Sequence, residues 1–184
     1  MDFVIKTERL VLRPPLESDA KELFELMADD KLTQFLTWEP HTTLGTTLGV
    51  IQSLIGAQQD GKGYHWCVCL ENHIVGLVSL IDVKRNIRTW VLNRAELSYW
   101  IGSNYQGRGF ATEASKEVVK FGFDTLDFHK IIIAHAVENI ASQRICHKLG
   151  FVPYAHEHDA FFKTNKWYDL IWYEHINNTD NGVD

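Results

Sequence analysis

The segment SYWIGSNYQGRGFATEA, residues 98–114, constrains the fold more than any other part of the chain. An apolar, strand-like run ends at Gly102, a polar loop carries two further glycines, Gly107 and Gly109, and a helix-forming run follows at once. Glycines let the backbone approach a ligand closely, and the backbone amides at the start of a helix attract an anion. The sequence therefore predicts a strand, a loop and a helix in succession, with an anionic ligand held by the loop.

Two common phosphate-binding patterns do not fit this loop. Counted from Gly102 it reads G-x-x-x-x-G-R, but Arg108 stands where a P-loop has lysine, and Gly109 where it has a magnesium-binding hydroxyl. Counted from Gly107 it reads G-x-G-x-x-T, one glycine short of a dinucleotide fingerprint, and no acidic residue ends a second strand about 20 positions later. Nucleoside triphosphates and dinucleotides are therefore poor candidates for the ligand.

A third pattern, Q-x-x-G-x-A, is formed by Gln106, Gly109 and Ala111. In this pattern successive backbone amides and the positive end of the following helix bind a pyrophosphate without any metal. Arg108 adds a positive charge for a further phosphate. The alternative interpretation is a glycine-rich turn that starts a helix and binds nothing.

The spacing of apolar residues predicts an α/β chain around one mixed sheet. With 184 residues, of which 45% are apolar and 23% charged, we expect a single domain over 1–184 with a frayed tail at 177–184. Ser18 is the expected N-cap of the first helix. A polar connector is expected at 37–49 and a basic loop at 84–93. The expected strands are 8–14, two within 64–83 joined by a turn at 71–73, 94–102, 130–137, 155–162 and 167–176, and the expected helices are 16–30, 50–59, 111–126 and 141–150.

Charge and cysteine content narrow the possible partners and location. The net charge of −6 argues against an extended nucleic-acid interface, and no apolar run approaches the roughly 20 residues of a membrane span. Cys67, Cys69 and Cys146 lie in apolar surroundings, and the first residues lack the hydrophobic core of a signal peptide. We therefore expect buried thiols rather than a zinc site, in a cytoplasmic protein that binds neither membrane nor nucleic acid.

Four segments together resemble one known family. TERLVLRP at 7–14, RAELSYWIG at 94–102, the glycine loop and NIASQRICHKLGF at 139–151 resemble the GNAT superfamily of N-acetyltransferases. Their order and spacing are similar to its ribosomal-protein acetyltransferase branch, RimJ and RimL, over residues 7–176. The resemblance implies a mostly antiparallel sheet of about seven strands with about four helices, in which two splayed parallel strands hold acetyl-CoA. It also implies that no metal takes part, and it is compatible with a homodimer.

The same resemblance assigns the cofactor contacts. The glycine loop would bind the pyrophosphate of coenzyme A, and the strand before it would pair with the pantetheine arm and polarise the thioester carbonyl. Asn139 would hold the pantetheine, and Ser142 would lie near the sulfur. The alternative is that Asn139 or Ser142 only caps a helix. The implied cofactor-binding residues are Tyr99, Trp100, Ile101, Gln106, Gly107, Arg108, Gly109, Phe110, Ala111, Thr112, Asn139 and Ser142.

Acetyl transfer needs a neutral amine and a proton for the leaving thiolate. By resemblance Glu96 is the candidate base and Ser142 the candidate acid, and Trp38, Glu96 and Ser98 are expected to face the acceptor. Strand alternation puts Glu96, Ser98 and Trp100 on one face and Leu97, Tyr99 and Ile101 on the other. The alternative for Glu96 is a solvated or salt-bridged glutamate beside Arg94.

Two features near the C-terminus bear on this assignment. The catalytic glutamate of the RimL pattern aligns with Phe161 in this chain, and Glu157 or Asp159 restores a carboxylate only if the register shifts. The segment HEHD places His156 and His158 on one strand face, but two imidazoles without a clear third ligand are weak evidence for a metal. We therefore expect no metal site.

The leading hypothesis is direct acetyl transfer, in a ternary complex, to the α-amino group of a ribosomal or other protein. An α-amino group with pKa about 8 is roughly one-tenth neutral at pH 7, so a weak base suffices. Two alternatives stay open: acetylation of a small amine such as a polyamine, an amino acid or an aminoglycoside, and a non-catalytic acyl-CoA sensor.

Overall fold

The computed structural model describes residues 3–177, and within them eight strands form one sheet in the order β1-β2-β3-β4-β5-β6-β8-β7. The predicted mixed α/β fold with a mostly antiparallel sheet is confirmed. The sheet has one strand more than the seven predicted, because the two-residue strand β1 precedes the first predicted strand. The strands are β1 Ile5–Lys6, β2 Val11–Arg13, β3 Tyr64–Leu70, β4 His73–Ile87, β5 Trp90–Ile101, β6 Lys130–Ala136, β7 Val152–Lys163 and β8 Lys166–Ile176.

Four α-helices pack against this sheet in the described part of the chain: α1 Ala20–Met27, α2 Leu44–Gln59, α3 Phe110–Asp124 and α4 Ile140–Lys148. Single 3-10 turns occur at Glu17–Asp19, Thr33–Phe35 and Ser103–Tyr105. Of these helices, none is long and apolar enough to cross a bilayer. Of the predicted tail, only Asn177 lies within the described residues, and its backbone N–H donates to the carbonyl of His129 at 2.8 Å.

The starts of the first two helices differ from prediction. Ser18 is not the N-cap of α1, because Glu17–Asp19 forms a separate 3-10 turn and Asp19 takes the N-cap position. Helix α2 begins at Leu44, within the expected connector, because the Thr43 side chain accepts a hydrogen bond from the backbone N–H of Thr46 and caps it. Glycines and threonines in its first two turns hid this start, since both residue types have low helix propensity.

The hairpin formed by β4 and β5 is longer than expected. The preceding turn, between β3 and β4, is made by Glu71 and Asn72 as predicted, with φ of 50° and 72°. The prediction of a basic loop at 84–93 is wrong, because β4 continues to Ile87 and β5 begins at Trp90. A second tight turn joins these two strands. Trp90 is 72% exposed. A hairpin that protrudes into solvent has no buried face, so its sequence lacks the alternation that marks a strand.

The only parallel pair among the described strands, β5 and β6, stays together for a short distance. Its register joins Arg94 to Lys130, Ala95 to Ile131 and Glu96 to Ile132, and ends there. Beyond that point β5 continues to Ile101 paired only with β4, while β6 pairs with β8 along its whole length. This wedge-shaped gap confirms the predicted splay of two parallel strands.

The two faces of the sheet carry separate apolar cores. Leu97 and Ile101 of β5 pack with Val118 of α3 in one core. Trp100 packs in the other with Leu23 of α1 and Ile51 of α2. The predicted alternation along β5 is therefore confirmed, and it directs Glu96 and Ser98 to the α1 and α2 face. All three cysteines are buried, as expected.

Candidate active site

The glycine loop joins β5 to α3 and is fixed at its start. The backbone N–H of Gly102 donates to the carbonyl of Val75 at 2.9 Å, and the Gln106 side-chain amide donates to the carbonyl of Ile101 at 2.9 Å. Gly107 and Gly109 have φ of 74° and 83°, and Gly109 is the N-cap of α3. These conformations are open to glycine and strained for other residues. The loop thus presents the first amides of a long helix at the open end of the β5/β6 gap.

Arg9 ties the N-terminal segment to this loop, and sequence patterns did not single it out. Its guanidinium pairs with Glu113 in the first turn of α3 at 2.6 Å and donates to the carbonyl of Arg108 at 3.1 Å. The guanidinium carbons of Arg9 and Arg108 each lie 4.7 Å from the centroid of the Phe110 ring. Glu113 thus pairs with the charge of Arg9, whereas the Arg108 side chain is exposed to solvent at the loop.

Tyr99 and Ser142 meet near the splayed strands. The Tyr99 hydroxyl, on β5 beyond the point of separation, lies 3.0 Å from the Ser142 hydroxyl in the first turn of α4. Burial raises the pKa of Tyr99 well above its usual range. Asn139 caps α4, because its side-chain oxygen accepts from the backbone N–H of Ser142 at 3.1 Å. The capping role considered for Asn139 is therefore observed, and Ser142 is oriented by Tyr99.

Glu96 lines a cavity of about 380 Å³ at the closed end of the gap. Burial raises its pKa, the charge of Asp82 adds to that rise, and the charges of Lys84 and Arg94 only partly oppose it. A carboxyl group with a raised pKa is a stronger base, which suits proton transfer from an amine. The cavity walls come from β4 to β8: Asp82, Lys84, Arg94, Glu96, Ile132, Tyr154, Ala155, Glu157 and Trp172.

The family model for an acetyltransferase (GNAT) domain matches residues 9–152. The chain belongs to the GNAT acetyltransferase family. The predicted family and N-acetyltransferase activity are thereby confirmed, and the glycine loop together with the three other segments that resemble the family indicated them from the sequence.

Relatives of this GNAT acetyltransferase span most of its length. It is 27% identical over 150 residues to the uncharacterized N-acetyltransferase YoaA of Bacillus subtilis (strain 168), covering 80% of this chain and 82% of that protein. It is 26% identical over 160 residues to the spermidine N(1)-acetyltransferase of Escherichia coli (strain K12), covering 87% and 82%. The solved structure of RimL, a ribosomal L7/L12 alpha-N-protein acetyltransferase in complex with coenzyme A, has a TM-score of 0.88 at 22% identity, covering 96% of this chain and 99% of that one.

The other two predicted acceptor residues of this GNAT acetyltransferase lie on the Glu96 side of the sheet. Ser98 is half-buried and pairs with Ser79 of β4. Trp38 packs edge-on against Trp100, with ring centroids 6.1 Å apart, and lies 5.3 Å from the ring of His41. The Trp100 side chain therefore belongs to this aromatic group, which leaves only its backbone for the contact with pantetheine that the resemblance implies.

Lys163 fixes the segment that carries Trp38, and no sequence signal pointed to it. Its ammonium group, on a side chain only 10% exposed, donates to the carbonyls of Thr33, Leu36 and Trp38 at 2.7, 2.7 and 2.9 Å. Hydrogen bonds from a charged donor to several carbonyls hold an irregular segment firmly. The end of β7 thus anchors the segment that carries Trp38 in this GNAT acetyltransferase.

Phe161 stands where the resemblance to RimL placed a catalytic glutamate, and it has a packing role in this GNAT acetyltransferase. Its ring stacks on Tyr168 with centroids 4.9 Å apart and planes 6° from parallel. Of the two nearby carboxylates, Glu157 lines the Glu96 cavity and accepts a hydrogen bond from the Trp172 indole at 2.8 Å. Asp159 is not among the cavity residues. Of these two carboxylates, only Glu157 therefore shares a cavity with Glu96.

Proposed function

We propose that this enzyme transfers the acetyl group of acetyl-CoA to the α-amino group of a ribosomal or other protein, by direct attack in a ternary complex. One observation carries the proposal: the wedge between β5 and β6 has the glycine loop and the start of α3 at its open end and the Glu96 cavity at its closed end. A long substrate with a pyrophosphate in its middle and a thioester at its tip matches that layout.

The residues around the wedge fit coenzyme A by their chemistry. The positive φ of Gly107 and Gly109 leaves backbone amides, rather than side chains, facing a pyrophosphate at the start of α3. Arg108 supplies charge for a further phosphate. From Leu97 to Ile101 the edge of β5 that faces β6 has no strand partner among the described residues, so its polar groups are free to pair with the amides of a pantetheine arm.

Two groups of the chain would move protons. Acetyl-CoA supplies the activated acyl group as a thioester. The acceptor nitrogen bonds to the carbonyl carbon and the carbon–sulfur bond breaks, while Glu96 takes the proton that the amine loses. The Ser142 hydroxyl, oriented by Tyr99, donates a proton to the departing thiolate and regains one from solvent.

A specific observation also favours a second acceptor class. Three carboxylates, Asp82, Glu96 and Glu157, line the cavity against two cations, Lys84 and Arg94, so its charge suits a cationic acceptor. A polyamine carries more positive charge than a peptide N-terminus and would gain more from this surplus. The spermidine acetyltransferase relative supports the same alternative.

Thiol release from acetyl-CoA, measured with a panel of acceptors, tests these proposals. The panel contains peptides that differ in their first residue, the same peptides with blocked N-termini, polyamines, amino acids and aminoglycosides. Turnover with free peptides and not with blocked ones is the expected result. Turnover confined to small amines would replace the proposal by the second one, and silence across the panel together with tight acetyl-CoA binding would favour a sensor.

Gly109→Ala should weaken coenzyme A binding at least tenfold. A side chain at φ of 83° costs about 1–3 kcal/mol, and the new Cβ would lie 3.4 Å from the Arg9 guanidinium, so the loop would shift away from its binding conformation. Isothermal titration with coenzyme A measures the change in Kd. Gly56→Ala in α2, where the new Cβ would meet no atom within 4 Å other than its chain neighbours and the backbone of its own helix, is the matched control and should leave Kd unchanged. An unaltered Kd for Gly109→Ala would contradict the loop assignment.

A further inference from the structure

The β7/β8 hairpin brings together three side chains that the acetyl-transfer site does not use. His156 and His158 lie two positions apart on β7, and Asp169 lies on β8. The His156 Nε2 and the His158 Nδ1 lie 2.8 and 3.0 Å from the same carboxylate oxygen, Asp169 Oδ2. The three potential ligand atoms all lie within 4.8 Å of one another. The sequence showed the two imidazoles but not the third group, which is 11 positions farther along.

A local irregularity of the hairpin positions the carboxylate. The register between β7 and β8 shifts between Glu157 and Phe161, and Asp159 in that interval has φ of 47°. The backbone N–H of Asp159 donates to Asp169 Oδ1 at 3.0 Å, and the Asp169 carbonyl accepts from the N–H of Val137 at 3.1 Å. Asp169 is thus held at its backbone and at one carboxylate oxygen. The other oxygen is directed at both imidazoles.

We propose that His156, His158 and Asp169 form a binding site for a divalent transition-metal ion such as Zn²⁺. Two imidazoles and one carboxylate are a ligand set that zinc and its neighbours in the first transition series prefer, with remaining positions taken by water. The Asp159 N–H plays the part of the outer hydrogen bond that orients a ligating carboxylate. The site is separate from the proposed acetyl-transfer chemistry and does not depend on it.

The distances between the three ligand atoms allow a zinc ion to bind after small side-chain movements. Ligand bonds of about 2.0–2.1 Å at tetrahedral angles place ligand atoms roughly 3.4 Å apart. The two imidazole–carboxylate distances are a few tenths of an ångström shorter than this. The His158 side chain is 77% exposed and the His156 side chain 44%, so both rings are free to adjust. Without an ion, each imidazole donates a proton to Oδ2, and the ion would take the place of those protons.

The charge of the carboxylate supports the same conclusion. The Asp159 N–H and the two imidazoles surround the Asp169 carboxylate with hydrogen-bond donors. An aspartate carboxylate is ionised at neutral pH, so it supplies the negative charge that a cation site needs. The Glu157 side chain lines the Glu96 cavity instead of joining the cluster, so the two sites do not share a ligand.

Isothermal titration of the full chain with ZnCl₂ at pH 7.5, after removal of metals with EDTA, tests the site. One ion per chain with a micromolar Kd is expected. Asp169→Asn and His158→Gln should each raise Kd at least tenfold. His73→Gln is the matched control. The His73 side chain is also 77% exposed and lies beside a carboxylate, Glu22, but it belongs to no such cluster in the described chain. The Kd of this variant for zinc should match that of the parent protein.

Other outcomes would overturn the proposal. Absence of binding below 1 mM, or equal loss in His73→Gln, would mean that the three groups form only a hydrogen-bonded cross-strand contact. Asp169 also anchors the irregular segment, so Asp169→Asn is paired with a thermal melt in EDTA. If that variant unfolds, the test rests on His158→Gln, whose side chain is exposed in the parent protein. An unchanged zinc affinity of His158→Gln would then contradict the proposed metal site. Acetyltransferase activity is not part of the readout.

Discussion

Glu96→Gln should lower kcat at least a hundredfold while the Kd for coenzyme A stays within about twofold. The amide keeps the size of the carboxylate but cannot accept the proton that the attacking amine must lose, and general-base contributions of this kind are about 10²–10⁴-fold. Glu96 lies on the cavity side of β5, at the last residue pair before the strands separate, so coenzyme A contacts farther along the gap are undisturbed. Steady-state thiol release and titration calorimetry measure the two quantities.

The pH profile provides a second readout for the same variant. Burial and the charge of Asp82 raise the pKa of Glu96, and only its ionised form acts as a base. The value of kcat/KM should therefore increase with pH as Glu96 loses its proton, at a pH above the ordinary range for glutamate. That acidic limb should be missing in Glu96→Gln, while the limb that reports the amine itself remains.

Two control variants make the assignment specific. Glu157→Gln changes the other candidate carboxylate in the same cavity, which a hydrogen bond from Trp172 already engages, and should reduce kcat much less. Glu25→Gln changes an exposed carboxylate on α1 and should have no effect. A larger loss in Glu157→Gln than in Glu96→Gln would contradict the assignment and place the base on β7.

The glycine loop could be predicted because its chemistry is encoded locally. Gln106 to Thr112 are contiguous, and the same glycines that need positive φ are those that expose backbone to an anion. The family resemblance then supplied the wedge, since the position at which two strands separate has no signature of its own in composition or periodicity.

The missed residues share a different physical cause. Lys163 reaches carbonyls 125 to 130 positions away, and Arg9 pairs with Glu113 across 104 positions. A sequence pattern records the face on which a residue lies, but such partners depend on the order in which strands assemble. Asp169 illustrates the point at short range, because only the irregular register of the β7/β8 hairpin directs its carboxylate at two histidines.

Asp19→Ala should lower the free energy of unfolding by about 3 kcal/mol. The Asp19 carboxylate accepts two hydrogen bonds from the Arg13 guanidinium, at 2.7 and 2.8 Å, and a third from the backbone N–H of Leu16 at 2.8 Å. Removing one partner of a buried ion pair costs about 3–5 kcal/mol because the other charge stays uncompensated. The lower end applies here, since the Arg13 side chain is 29% exposed and water can solvate part of its charge. Urea denaturation at pH 7 measures the difference.

The pH dependence of this loss has a definite sign. Burial alone would raise the pKa of Asp19, but the hydrogen bonds from Arg13 and Leu16 outweigh it and lower the pKa. The contribution of Asp19 to stability is therefore complete above its unfolded-state pKa, about 3.9, and is lost as pH falls through the lower folded-state value. The difference in unfolding free energy between parent and variant should be constant from pH 6 to 8 and shrink in acid.

An exposed ion pair provides the comparison that separates burial from charge. Asp60 pairs with Lys62 at 2.8 Å, with side chains 59% and 75% exposed, so Asp60→Ala should cost much less stability than Asp19→Ala. Equal losses in the two variants would mean that burial adds nothing to the Arg13–Asp19 pair. A large loss in Asp19→Ala that does not shrink in acid would instead assign its effect to the packing beneath α1, where Cys67 lies 3.8 Å from the carboxylate, and not to its charge.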